Sequence, residues 1–589
     1  MPKNEKYLWP ISKNLTNTVL CLIEKQRVGE AVDENLIRDI LNVFQKIGED
    51  FELQIYKQEF EKLFLETTEV FYERESEEFL ASHSVPEYMV LVERRLKEEK
   101  YRAENFLHPS TWEPLKATCQ RILLQEHLEK SNTAFNQLLM EEKEEDLTRM
   151  FELISEIPGG VNKFYKFFEN FVIKNGREEL QKHGEAVITD AKLYSTTILD
   201  VHKKYSDFVR TVWNNNEEFS KALKDACTKF IETNHVTKAP NCSSDKSPEH
   251  LANYCHIILK SADHIEEGHF DQIITILNMI QNIDIFQVFY KRCLAKRLIS
   301  NQLMDTEMES TLLLKLKKAF GSNFMIHMEK MIEDHTISKS LLREYLKNSN
   351  EKLEMNFEAI VTTVGIWPSI SDEKCVLPIE LERSQHMFQS FYNSKHKNRV
   401  LKGVNVLSKG ELTARFDKSY TLRASTFQTV ILFQFNSADS LTVKQLYEAT
   451  EIKMELLLNV LQTLLKSTLL KSKDSAKLGP SSIVELNHHY RNKKRLVNLN
   501  APLKSSEKEQ KEADTLSVNQ QRQFETQAAI VRIMKREKKL SRQQLIAAVI
   551  DELKTRFKVD LEQFKKYMKN LIERDFIEEE GSGIYNYVL

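Results

Sequence analysis

Scarcity of chain breakers is the feature that most limits what this sequence can become. Fourteen glycines and twelve prolines in 589 residues are about 4% of the chain, where about 12% is ordinary. Few breakers mean few tight turns, so most of the length has to run as helix. The periodicity agrees. In LTNTVLCLIEKQ, Leu15, Val19, Leu22 and Ile23 recur at helical spacing. The stretch YKQEFEKLFLETTEVFYERESEEFL repeats the form with Phe60, Leu63, Phe64, Val70, Phe71 and Phe79. Charged residues fill the other faces, with i,i+4 pairs such as Glu93 and Lys97. Helix follows helix to about residue 365 without a repeat of fixed length. This predicts a mainly α protein, with elongated helical repeats leading into a helical bundle.

Composition narrows the function classes. A net charge of −3 argues against a globally basic nucleic-acid binder. No segment reaches the roughly 18 consecutive apolar residues that span a bilayer. The opening MPKNEKYLWPISK has no apolar h-region, so no signal peptide is expected. Cysteines at 21, 119, 227, 242, 255, 293 and 375 are odd in number and never spaced CxxC. Disulfides and a structural zinc are therefore not expected, and a reducing, intracellular setting fits. No phosphate-cradling glycine loop, HExxH or RING-sized Cys/His set is present, and His488-His489 reads as surface. No cofactor, no metal and no catalytic residue is predicted.

Composition shifts mark the organisation. KAPNCSSDKSPEH (238–250) reads as a loop. From about 395, NRVLKGVNVL, KGELTARF and KSYTLRAST read as a small antiparallel sheet, with Leu407, Leu412, Phe416, Leu422 and Ala424 alternating toward a covered face. SSIVELNHH and RLVNLN read as two more strands. KSSEKEQKEADTLSVNQQ (503–520) is polar and reads as a flexible linker able to act as a hinge. The last 69 residues give three helices, with Ser541 as an N-cap, and then a hairpin around Gly-Ser-Gly: winged-helix order. Residues 441–500 have a similar shape. The domains expected are 1–105, 106–240, 241–365 (bundle), 366–502 (α/β sheet with a winged-helix-like part), 503–520 (linker) and 521–589 (winged helix).

Several motifs in this order resemble the cullin family. AAIVRIMK (528–535) is similar to the cullin stretch whose closing lysine receives a ubiquitin-like modifier, the step called neddylation. FYKRCLAKRL (289–298), LPIELERSQHMFQSFY, LSKGEL, YTLRASTFQ and the terminal YNYVL resemble further family stretches. LYSTTILDVHKKY and Lys-Ser-Pro-Glu at 246–249 are most similar to the cullin of SCF ligases. The sequence departs from the pattern in Arg536-Glu537-Lys538 after the acceptor position, in Phe576 and in Leu589. It begins at what resembles the second cullin repeat, so docking of a Skp-type adaptor, which uses the first, does not carry over.

The resemblance implies a non-catalytic scaffold of a multisubunit ubiquitin ligase, cytoplasmic and nuclear, acting by proximity. Its implied partners are a RING-box protein, the modifier on Lys535 and a cullin exchange factor. The RING-box protein would thread a strand into the sheet around Leu407, Gly410, Leu412, Leu422 and Ala424. From the residues alone, Ile530, Ile533 and Met534 form the apolar stripe of the acceptor helix, widened by Val531, and Lys535 falls outside it beside Arg532, Lys538 and Lys539. Such like charges favour the deprotonated, nucleophilic amine. In and just before FYKRCLAKRL, Phe286, Phe289, Tyr290, Cys293, Leu294 and Leu298 read as a packed face and Lys291, Arg292 and Lys296 as the outside. Two other readings stay open at this stage: a truncated cullin serving as regulator or decoy, and a winged-helix DNA binder using RIMKREKKLSR. The third helix of the winged unit, with equal acidic and basic counts, is poor for the latter.

Overall fold

Helix periodicity on this scale yields two units, Met1–Ser247 and Pro248–Leu589. The computed structural model describes residues 5–48, 54–239, 245–261, 267–300, 306–348, 355–368, 373–473, 478–499, 504–554, 556–581 and 583–588. The centre of the loop at 238–250, and Cys242 with it, lies outside them. Among the described residues no helix is long and apolar enough to cross a membrane.

The first unit is helical throughout its described length. Helix Val85–Asn105 starts cleanly because Ser84 and Glu87 close a capping box, with Pro86 in the first turn. Helix phase decides what the stretch 60–72 buries. Phe60, Phe64, Thr68, Phe71 and Tyr72 share the inner face, so Leu63 and Val70, expected in the stripe, turn to solvent. At its heart lies a charged knot. Arg27 donates to Glu99 (2.8 Å) and to Thr68 (2.8 Å), while Arg102 (2.6 Å) and the Tyr72 hydroxyl (2.5 Å) donate to Glu99. Burial works to raise the Glu99 carboxyl, yet the two guanidiniums prevail and hold it below the usual carboxylate range.

In the second unit, helix Ile283–Ile299 buries Phe286, Tyr290, Cys293, Leu294 and Leu298 as its spacing predicts, with Phe289 only half-buried. It also buries Arg297 completely. That guanidinium forks onto Glu309 of helix Thr306–Phe320 through two bonds of 2.8 Å, and Tyr290 donates to the same carboxylate at 2.7 Å. Arg297 also donates to Nδ1 of His256 (3.1 Å), which fixes that ring as the neutral acceptor.

Helix Ser322–Asn348 is the last of the bundle among the described residues, and residues 356–363 are neither helix nor strand. Their backbone hangs on side chains of that helix. Ser338 bonds both the amide (2.8 Å) and the carbonyl (3.1 Å) of Val361, and Asp334 receives the Thr363 amide (3.0 Å) and the Trp367 indole (2.9 Å).

Three small sheets follow. β1 (Lys409–Arg415) and β2 (Ser419–Ser425) form an antiparallel hairpin, and β6 (Leu496–Asn498) joins β2 in parallel. β3 (Ser440–Thr442), β4 (Leu470–Ser472) and β5 (Ile483–Leu486) make a second sheet in the order β3-β5-β4. β7 (Lys539–Ser541), β8 (Ile577–Glu580) and β9 (Ile584–Tyr587) repeat that order as β7-β9-β8. Helices Val443–Thr450 and Met454–Lys466 stand between β3 and β4 just as Arg542–Leu553 and Leu561–Glu573 stand between β7 and β8. The chain therefore holds two winged-helix-like units. Ser541 caps its helix in a box with Gln544. Residues 399–408, expected as a strand, instead form a loop and a turn. Residues 504–520, expected as a flexible linker, are helical and form the first half of one helix, Lys504–Glu537, that carries Lys535 near its end.

Removing one member of a buried ion pair strands the other in a dry site. Glu309→Gln should cost the second unit about 3 kcal/mol, read from chemical denaturation. Burial first, then the nearby Arg297, push the His256 imidazole down to about 4. The folded form holds it neutral while the unfolded chain binds a proton from about pH 6.5 downward. Its share of stability is thus present above pH 6.5 and lost as pH falls toward 4. His256→Gln should flatten the acid limb of a stability–pH profile in that window.

Candidate functional site

Among the described residues, a seven-residue hairpin strand pairs on one side only. Among them β1 has β2 as its neighbour, with Lys409 opposite Ser425, Leu412 opposite Leu422 and Arg415 opposite Ser419. Flanking bonds set the parity of the ladder. Thr426 N–H donates to the Ser408 carbonyl and Phe416 N–H to the Lys418 carbonyl, so even-numbered residues of β1 exchange bonds with β2. The amides and carbonyls of Lys409, Glu411, Thr413 and Arg415 therefore point to the open edge. Among the described residues no other segment bonds them. An unpaired edge of this length is a template for an added strand.

The residues chosen from sequence take a different part. Gly410 and Leu412 pair inward with Ala424 and Leu422. Leu412, Leu422 and Ala424 pack into the core formed with helices Thr426–Gln434 and Met454–Lys466. Leu407 sits half-buried in the turn before β1. These five build the support, and the odd-numbered residues carry the free edge. Counting back from the Asp417-Lys418 turn gives this parity.

At the end of the chain, Ala529, Ile530, Ile533 and Met534 are sealed against Leu545, Val549, Phe564 and Tyr585. Val531 is half-buried at the margin, and Lys535 is exposed on a helical turn whose inner side is locked in that core. The cations around it are largely matched. Arg532 meets Glu552 (2.5 Å), Arg536 meets Glu537 (2.8 Å) and Lys539 meets Glu580. The like-charge field expected at Lys535 is offset by these carboxylates.

Three family models match the chain in order: the cullin alpha solenoid domain over residues 4–342, the cullin alpha+beta domain over 361–490 and the cullin protein neddylation domain over 521–582. The chain belongs to the cullin family. It is 34% identical to Cullin-1 of Dictyostelium discoideum, over 98% of this chain and 78% of that protein. It is 31% identical to Cullin-1 of Schizosaccharomyces pombe, over 98% and 78%. Against Cullin-4A of Mus musculus the identity is 30%, over 97% and 74%.

In this cullin the terminal domain is tied to the bundle at the start of helix Ile283–Ile299, a contact that sequence reasoning missed. Arg522 donates twice to Asp284, at 2.5 and 2.9 Å, across 238 residues of chain. The same guanidinium lies over the Phe557 ring (5.2 Å). Ile283 N–H donates to the Arg556 carbonyl (3.1 Å), and Asn282 Oδ1 accepts from Lys558 N–H (3.5 Å). Burial pushes the Asp284 carboxyl above its ordinary range, and Arg522 recovers only part of that. A lone aspartate in a helix's first turn carries no sequence signal for a partner so far along the chain.

Among the described residues of this cullin, the thiols of Cys119, Cys227, Cys255 and Cys293 are buried. Burial pushes Cys227 and Cys255 up to about 12 and raises Cys293, so they pack as small apolar side chains. His488 and His489 are exposed, and His488 lies 3.1 Å from Asp439. Among the described residues no His/Cys/Asp/Glu group has the geometry to hold a metal.

Because burial already disfavours the Asp284 charge, the two halves of the tie should not be equivalent. Arg522→Ala leaves a carboxylate stranded and should weaken docking by about 2 kcal/mol. Asp284→Asn should cost less than half as much. Hydrogen exchange at the amides of Ile283 and Lys558 reads both.

Proposed function

We propose that the chain is the non-catalytic scaffold of a cullin-RING ubiquitin ligase, binding a RING-box protein at the open edge of β1 and taking a ubiquitin-like modifier on Lys535. The observation that carries this reading is the conjunction, on a cullin framework, of an unpaired strand edge and an exposed lysine at the end of a packed helix. Strand addition there draws its affinity from main-chain bonds to Lys409, Glu411, Thr413 and Arg415. A scaffold of this kind works by effective concentration, holding a substrate lysine near a charged conjugating enzyme. Modification at Lys535 would act on a domain tied to the bundle through Asp284 and Arg522, biasing it toward release. A cullin exchange factor and a cytoplasmic and nuclear setting belong to the same reading, and each rests on family likeness.

Duplex DNA binding is the weaker alternative. β8 presents Glu578, Glu579 and Glu580 to solvent on the wing, which repels a phosphate backbone.

Thr413→Pro removes one outward N–H and no bond to β2, a change that edge strands tolerate. It should leave the melting temperature within a few degrees and weaken RING-box binding by about tenfold or more, measured by titration calorimetry. Lys535→Arg should abolish conjugation, seen as loss of the mass-shifted band. Unchanged binding in the first variant and unchanged conjugation in the second would each overturn its half of the proposal.

A further inference from the structure

Three lysines crowd the end of the acceptor helix, and their amines are chemically alike. Lys535, Lys538 and Lys539 all lie on the exposed surface. Conjugation asks the same of any of them. The ε-nitrogen bonds to the carbonyl carbon of a modifier held as a thioester on its conjugating enzyme. The C–S bond breaks, its electron pair leaves with the enzyme's cysteine sulfur, and the amine gives its proton to water. Selection must therefore come from how each amine is held.

Two of the three are held by the wing. Lys538 is the residue after the helix, at φ +65°, with its amide on the Met534 carbonyl and its own carbonyl receiving the Tyr587 amide at 2.9 Å. Its ammonium lies over the Tyr587 ring, 5.1 Å from the centroid. Lys539 opens β7 opposite Asn586. Its ammonium pairs with Glu580, whose Oε2 also accepts from Asn586 Nδ2 at 3.1 Å. Glu580 is held below its usual range by that lysine first and Asn586 second. Lys535, among the described residues, has no carboxylate or ring partner, and its α-carbon sits on the last packed turn of the helix.

We propose that the wing is a selectivity device, in which Tyr587 and Glu580 hold Lys538 and Lys539 away from the thioester and so confine the modifier to Lys535. This rests on the scaffold reading above and adds positioning residues to it. Each restraint is modest, since an exposed cation–π contact or ion pair shifts a population severalfold rather than absolutely. The bias accumulates because both competitors are restrained while the acceptor is not. Arg532 and Arg536 flank Lys535 with guanidiniums, which do not lose a proton to become nucleophiles.

The experiment uses the full chain, its RING-box partner and conjugating enzyme charged with the family's modifier, with site occupancy read by peptide mass spectrometry over time. Lys535→Arg alone should lose nearly all conjugation. Lys535→Arg combined with Tyr587→Leu and Glu580→Gln should regain conjugation by about fivefold over that, on Lys538 and Lys539. Glu580→Gln with Lys535→Arg, an exposed change that leaves the core alone, should regain it on Lys539 only and serves if the Tyr587 variant unfolds. The inference is overturned if Lys535→Arg is modified at Lys538 or Lys539 at the parental rate, or if the released variants stay as inert as Lys535→Arg. Absence of conjugate from the parent itself would instead bring down the scaffold reading.

Discussion

The bond between Arg297 and Glu309 is the point from which the second unit is organised. It fixes helix Ile283–Ile299 against helix Thr306–Phe320 in a dry site where a mismatch would be costly. The opposite end of the same helix carries Asp284, on which the terminal domain is tied through Arg522. One rigid element of 17 residues thus has its phase set by a buried charge pair at one end and presents a docking point at the other. A slip of a single residue would turn Asp284 by about 100° and remove the tie. The knot of Arg27, Glu99 and Arg102 does comparable work in the first unit, locking rotation where apolar packing alone would tolerate repacking.

How far the sequence could be read depended on whether the deciding interactions were local. Helices followed from Gly and Pro scarcity and from spacing, and the winged units from the order of helices, caps and hairpins. Ser541 was legible because a capping box spans only four residues. Leu63 and Val70 were misplaced because an apolar residue counts toward periodicity whichever way its helix is finally rolled. Arg297 looks like any basic residue on a charged helix until Glu309 is brought to it. Residues 399–408 have β-branched composition without a ladder to join, so they remain a loop and turn. The spacing around Lys535 puts that lysine on the exposed side of its helix, as found, while the apolar residues singled out in the hairpin lie on its covered face and not on its open edge.

The difference between covered face and open edge has a general cause. Affinity by strand addition resides in peptide groups, and which peptide groups are free is a matter of register, fixed by the position of a turn. Apolar alternation reveals the covered face of β1 and β2 but says nothing of which amides point sideways. The residues most visible in the pattern are those of the covered face, not those whose peptide groups are free.

The helix Lys504–Glu537 runs into the winged domain without a break. A coil in that place would absorb an inserted or deleted residue as slack. A continuous helix converts each into about 1.5 Å of travel and about 100° of turn for everything beyond it. Its length is therefore counted in phase as well as in distance. Seven residues can come or go with only some 20° of error, whereas two would aim the terminal lysine at the opposite side of the axis.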